Sequence, residues 1–138
     1  MLDRVHLDRS RAPILDPVPV RTLARIASGV ALAAVGIAHF ATPRPFIDHV
    51  PSPLPAPLAI VYATGAMELV LGAALALAPP GFRLLAGRMT AAYLVAVFPG
   101  NLYVAIAGIP VYPAAWQAWA RLPLQPLFIA IVLWSTRR

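Results

Sequence analysis

The stretch Val61-Tyr-Ala-Thr-Gly-Ala-Met-Glu68-Leu-Val-Leu-Gly72 sets one carboxylate in the middle of an apolar run that extends from Pro57 to Ala78. At about 1.5 Å of rise per residue, that run is long enough to cross a hydrocarbon core of roughly 30 Å, and Glu68 falls near its midplane. An acid at that depth is costly unless it is protonated, paired or turned toward a wet cavity, which makes Glu68 a candidate functional residue. The competing role is structural: a neutral Glu that hydrogen-bonds across helices and holds a bundle together.

The rest of the composition agrees with a membrane setting. Of 138 residues, 60% are hydrophobic and 12% charged, about half the charged share of an average soluble domain. The net charge of +6 comes from eleven basic residues, all arginine. Most flank apolar runs instead of alternating with aromatics on a soluble face, so the expected partners are lipid phosphates and not nucleic acid. The chain has no cysteine, which excludes thiolate nucleophiles, disulfide exchange, iron–sulfur clusters, covalently attached haem and Cys-type zinc sites. Any redox role must be carried by something the chain binds. The absence of Lys beside abundant Ala, Pro and Arg resembles the usage of a high-GC bacterial genome.

Read in order, residues 1–20 alternate acids and arginines and are expected to form a cytoplasmic tail, with no signal-peptide core and with His6 solvated. Residues 21–138 are expected to form one four-span domain. The first span runs from about Thr22 to Ala41, with Arg25 snorkelling to the inner interface. Ser28, Gly29, Leu32, Gly36 and His39 share one face of it by their spacing, so His39 points into the bundle. Between Thr42 and Pro57, six of sixteen residues are proline, which implies a stiff outer loop with one short helical turn at Pro45 to His49. Phe46 and Val50 are candidates to dip inward, whereas Asp48 and His49 are expected to be solvated.

The second span ends at Ala78-Pro79-Pro80-Gly81, a tight inner turn. The third covers about Leu84 to Ala107 and is expected to break at Phe98-Pro99-Gly100-Asn101, because Pro99 lacks the N–H that would bond back to Val95. Tyr112, Trp116 and Trp119 mark a segment expected to lie along the outer surface as a short interfacial helix. The last span then runs from about Leu122 to Trp134, its outer boundary loosely defined. Nine arginines fall on the side of the two termini and two, Arg44 and Arg121, on the other. The expectation is an all-α integral membrane four-helix bundle, N-in and C-in, in the bacterial inner membrane.

Depth then sorts the polar residues. Counted from the outer ends, Gln125 and His39 lie within roughly one turn, Thr64 and Asn101 about two turns down, and Glu68 about three. Thr64 and Glu68 share a face. The four spans are thus expected to converge on a polar well open to the outside and floored by Glu68, above an inner half of Ala, Leu, Val and Ile. On these depths His39 and Glu68 stand about two turns apart, which argues against direct pairing. No metal site is expected, since His39, Glu68 and Asn101 lack a third strong ligand.

The same residues carry a family resemblance that runs from about Gly29 to Trp134. Gly36-Ile-Ala-His39-Phe40 followed by Pro43 and Phe46, Val50-Pro-Ser-Pro-Leu-Pro55, Gly65-Ala-Met-Glu68-Leu with Gly72, Phe98-Pro99-Gly100-Asn101-Leu-Tyr103 and Arg121-Leu-Pro-Leu-Gln125 together resemble the DoxX-like family of small bacterial membrane proteins. Gly100 departs from the Ala expected between the proline and the asparagine, and implies a looser kink. The resemblance implies four helices with both ends cytoplasmic and an association with quinone-linked oxidoreductase assemblies, but it supplies no reaction.

Three roles follow. In the first, the chain is an accessory subunit in which the well holds the head of a quinone or similar lipophilic small molecule beside a redox partner. Thr64, Asn101, Gln125, Arg121 and Tyr103 are then the ligand-binding candidates, with His39 or Asn101 donating to a carbonyl of the head and Glu68 relaying a proton. In the second, Glu68 and His39 are the catalytic acid and base of an isomerase-like enzyme acting on a lipophilic substrate. In the third, the polar residues only lock helices within an assembly factor. The cofactor's identity and a homo-oligomeric state stay open.

Overall fold

The computed structural model describes residues 19–137. Most of the expected tail of residues 1–20, together with His6, Arg4, Arg9, Arg11 and Arg138, lies outside the described residues. The described chain is helical without a strand, and four of its helices are long and apolar enough to cross a membrane. These are α1 (Val20–Ala41), α3 (Pro57–Leu77), α4 (Arg83–Ala107) and α5 (Ala115–Thr136), with a single turn, α2 (Arg44–Ile47), in the loop after α1.

Proline and glycine place most of the helix ends. Pro43 stops α1 just past Thr42, and Pro57 opens α3 at the position where its missing N–H costs nothing. Pro79 and Pro80 end α3 and lead through a 3₁₀ turn, Pro80–Phe82, into α4. Gly108 closes α4 in the left-handed conformation that glycine adopts without penalty. At the start of α5, the Gln117 side chain accepts the Ala114 N–H at 3.2 Å.

Each helix is followed by its spatial neighbour. α1 packs on α3 and on α5, α4 packs on α5, and α3 touches α4 only lightly, so the four form an up-and-down ring with α1 and α4 on one diagonal. The α1–α3 contact is the closest. A Cβ added to Gly29 would lie 2.6 Å from the Gly72 carbonyl oxygen, and one on Gly36 would lie 2.8 Å from that of Gly65, so the two backbones touch where these glycines face one another. Away from the α1–α3 loop, Leu32, Leu71, Leu75, Ala86, Leu94 and Val132 form the apolar core. The outward faces carry exposed Val30, Val70, Val95 and Leu127, compatible with contact to lipid.

Four sequence expectations change. α4 is unbroken through Phe98-Pro99-Gly100-Asn101, with Pro99 inside it; one missing hydrogen bond does not interrupt a helix held on both sides by packing. The Trp116 and Trp119 segment is not a separate interfacial helix but the first turns of α5, which runs through Pro123 and Pro126. Arg25 does not snorkel: it is 4% exposed, and its Nη1 donates to the carbonyls of Leu75 and of Ala76, the latter at 2.9 Å. Those two carbonyls would normally receive the N–H groups of residues 79 and 80, both of which are proline. Finally, the inner half, expected to be nearly all Ala, Leu, Val and Ile, buries Thr90, Ser135 and Thr136 beside Ser28, whose inward face was expected.

Candidate functional site

Between the four long helices and beneath residues 42–56 lies a cavity of about 520 Å³. Every long helix contributes to its wall, and the loop supplies its roof through Phe46, His49, Val50, Pro51 and Leu54. Its surface is mostly apolar with a few convergent polar groups, the usual construction of a small-molecule site.

Glu68 forms the floor and is 7% exposed. Its Oε1 accepts the Tyr93 hydroxyl at 3.1 Å, and the same hydroxyl also reaches the Thr64 carbonyl at 3.3 Å. Its Oε2 lies 3.2 Å from His39 Nδ1, within ion-pair distance, yet it has no hydrogen-bond partner among the described residues. The His39 proton accounts for this. Nδ1 is 2.9 Å from the Val35 carbonyl, which can only accept, so the Nδ1 hydrogen is directed there.

The closeness of His39 and Glu68 corrects the depth argument, which kept them about two turns apart. The glycine pairs fix one antiparallel register in which Ala41 lies opposite Ile60, so α3 continues past the end of α1 and the two helix ends are not level. In that register His39 is level with Tyr62, about 9 Å along the axis from Glu68. Helical side chains lean toward the N-terminus of their own helix. In an antiparallel pair, His39 therefore leans toward the middle of the bundle and Glu68 toward the loop, and the two side chains meet at Gly65.

On the opposite wall, Asn101 Nδ2 donates to Gln125 Oε1 at 2.7 Å, and Gln125 Nε2 donates to the Leu94 carbonyl. Thr64 lines the cavity but turns its hydroxyl back to its own helix, at 3.0 Å from the Ile60 carbonyl and 2.9 Å from that of Val61. Arg121 stands at the rim with its guanidinium 5.2 Å from the Tyr112 ring centroid.

The roof is tied down at three points. Phe46 stacks on the His39 ring with centroids 3.7 Å apart. The His49 carbonyl sits against Gly100, where an added Cβ would come within 2.8 Å of it, so Gly100 seats the loop and does not loosen a kink. The third tie is the His49 ring. Its Nδ1–H donates to the Pro45 carbonyl at 2.8 Å, which leaves Nε2 to accept the Tyr112 hydroxyl at 2.8 Å. Burial lowers the His49 pKa below its ordinary value, Arg121 and His39 add to the shift, and the Pro45 carbonyl and Asp48 oppose it. Burial likewise raises the pKa of Tyr112, against the pull of Arg121.

Of the residues singled out by sequence, His39, Glu68, Thr64, Asn101, Gln125 and Arg121 all border this cavity. Tyr103 does not. Two positions beyond Asn101 on α4, it faces some 200° around the helix from that residue. Tyr93 and His49 were missed. Tyr93 stands eight positions before Asn101, which puts it on the same face of α4; a tyrosine at mid-membrane depth, away from the interfacial belt, was the available signal. His49 carried none, because its placement depends on how the loop folds over Gly100.

No curated protein and no solved structure matches the chain. Residues 28–137 match a family described as "Domain of unknown function (DUF8561)", and with most of its length inside that match the chain belongs to this family.

Proposed function

We propose that this chain is a DoxX-like multi-pass protein of the bacterial inner membrane whose cavity holds the polar head of a lipophilic small molecule such as a quinone. It acts as an accessory subunit beside a redox partner. Among the described residues, Arg21, Arg25, Arg83, Arg88 and Arg137 lie at the end of the bundle that carries both termini, and Arg44 and Arg121 at the other. That bias supports termini in the cytoplasm and the loop roof facing the periplasm.

The observation that carries the binding role is a mostly apolar cavity of about 520 Å³ bounded by every span and bordered by a few polar groups, Glu68, His39, Asn101 and Gln125 among them.

The test is mass spectrometry of small molecules retained by the detergent-extracted protein, run beside Glu68→Ala. A single lipophilic species present in the wild type and lost from the variant is the expected result. Identical extracts from both would sink the proposal. A second reading, acid–base catalysis on the bound molecule, gains support from the 3.2 Å approach of His39 to Glu68. Conversion of the retained species, seen with the wild type and absent from Glu68→Gln, would favour it over simple binding.

A further inference from the structure

Most sides of the cavity are closed. Above it the loop is tied at His39, Gly100 and Tyr112, and below it the apolar core around Leu71, Leu75 and Leu94 fills the bundle. Around the circumference, the α1–α3 seam is shut by backbone contact at the glycine pairs. The α4–α5 seam is crossed at the level of the cavity by the bonds from Asn101 to Gln125 and from Gln125 to the Leu94 carbonyl, and α5 also packs on α1.

The seam between α3 and α4 differs. The two helices touch only lightly, and among the described residues Tyr93 alone forms hydrogen bonds between them, to Glu68 and to the Thr64 carbonyl. Those bonds set Tyr93 level with Thr64. The antiparallel course of the helices then sets Val97 level with Ile60, about 6 Å further toward the loop. Ile60 and Val97 both line the cavity and are only half-buried, and Ala96 lines it while exposed. Leu54, just before α3 begins, continues this apolar margin from the roof and is 48% exposed. Above Tyr93 the cavity wall therefore runs out, through apolar side chains alone, to the face that the bundle turns to lipid. The exposed lining residues of α5, Arg121 and Leu124, stand nearer the outer rim than Gln125, beside a cation.

We infer that the cavity is loaded sideways, from the leaflet on the loop side, through the α3–α4 seam above Tyr93. The occupant sets its polar head inside the cavity and leaves a hydrocarbon tail between Ile60 and Val97, in lipid. The inference rests on the cavity being a ligand site, as proposed above. It adds the build of the occupant, a compact head on a flexible apolar tail, and the route by which it arrives. A tail that stays in lipid gives up none of the apolar surroundings it partitions into. The roof keeps its three ties throughout, because nothing passes beneath it from the water.

The chain has no cysteine, so introduced thiols report alone. In vesicles, a nitroxide on Val97→Cys should collide with dissolved oxygen at no less than about half the rate of one on Val95→Cys, whose native side chain is 61% exposed on the outward face. It should meet a water-soluble nickel chelate no more often than that control does. In an Ile60→Cys, Val97→Cys protein, joining the thiols with a short bismaleimide should slow exchange of a decyl-substituted benzoquinone between vesicle and protein about tenfold or more. Capping each thiol separately as its methyl disulfide should change that rate by less than about twofold. Unchanged exchange in the bridged protein, or nickel reaching residue 97 more readily than the control, would overturn the sideways route and leave the cavity a ligand site. Failure of the uncapped, unbridged and wild-type proteins to bind the quinone would remove the ligand reading and the route with it. Should the double variant not fold, the nitroxide comparison at Val97 decides alone.

Discussion

α3 meets its two neighbours in opposite ways. Toward α1 it offers Gly65 and Gly72, and the backbones close to contact against Gly36 and Gly29. Toward α4 it offers Thr64 and Glu68, and there Tyr93 reaches across while a cavity of about 520 Å³ stays open. The faces lie side by side on one helix, and Glu68 stands on the border between them. The closed seam makes the open side workable: a helix held by a backbone-to-backbone contact on one face need not be packed on the other. The stability of α3 therefore resides in its glycines, and its chemistry in its polar residues.

The largest effect should come from the seam. Gly36→Leu forces a branched side chain against the Gly65 carbonyl and should cost about 3 kcal/mol or more, seen as loss of monodisperse protein after extraction. Tyr93→Phe, on the open side, should cost about 1 kcal/mol, the value of one hydrogen bond. Equal losses from the two changes would break the comparison.

Next in size is the lock at the far end of the same seam. Arg25→Met orphans the carbonyls of Leu75 and Ala76 and should cost about 2 kcal/mol in thermal unfolding. The loss should shrink in a Pro79→Ala, Pro80→Ala background, where α3 is free to extend by a turn and the new N–H groups can reach both carbonyls. An undiminished loss there would show that Arg25 acts by something other than replacing the hydrogens the prolines lack.

The smallest effect belongs to the roof of the cavity. Because burial holds the His49 pKa below its ordinary value of about 6.5, the released loop binds a proton more readily than the seated one. The tie to Tyr112 is fully present above about pH 6.5 and is lost as the pH falls through the lowered value. Once the slower intrinsic exchange at lower pH is divided out, the protection of residues 44–54 should therefore fall between about pH 7.5 and 5.5 in the wild type, while Tyr112→Phe, which lacks the tie, should show a smaller change. An unchanged pH response in that variant would mean that some other contact holds the roof.

Much of this was legible in the sequence, and the boundary has a physical cause. Spans, turns and the buried face of α1 follow from hydropathy, proline positions and three-and-four spacing, so Ser28, Gly29, Leu32, Gly36 and His39 are buried as their spacing requires. The residues around the cavity followed from polarity at membrane depth. What failed was the step from depth to distance, since an axial offset of about 9 Å, close to the two turns expected, is spanned by the two side chains. His39 and Glu68 meet because α3 overruns α1 and because side chains lean, and both follow from the glycine register, a property of two helices together. The break expected at Pro99 and the separate helix expected at Trp116 failed for a related reason: a proline removes one bond locally, while neighbouring helices hold the backbone straight.

The position of Arg25 bears on how the molecule is made. Translation completes α1 before α3, so the Arg25 guanidinium is made before the carbonyls of Leu75 and Ala76 that accept it. Only when Leu75 and Ala76 arrive at the end of α3 do the two accepting carbonyls become available to draw it inward. The first hairpin is thus fastened by the last turn of its second helix, and a chain truncated before Leu75 would leave the Arg25 guanidinium without these acceptors.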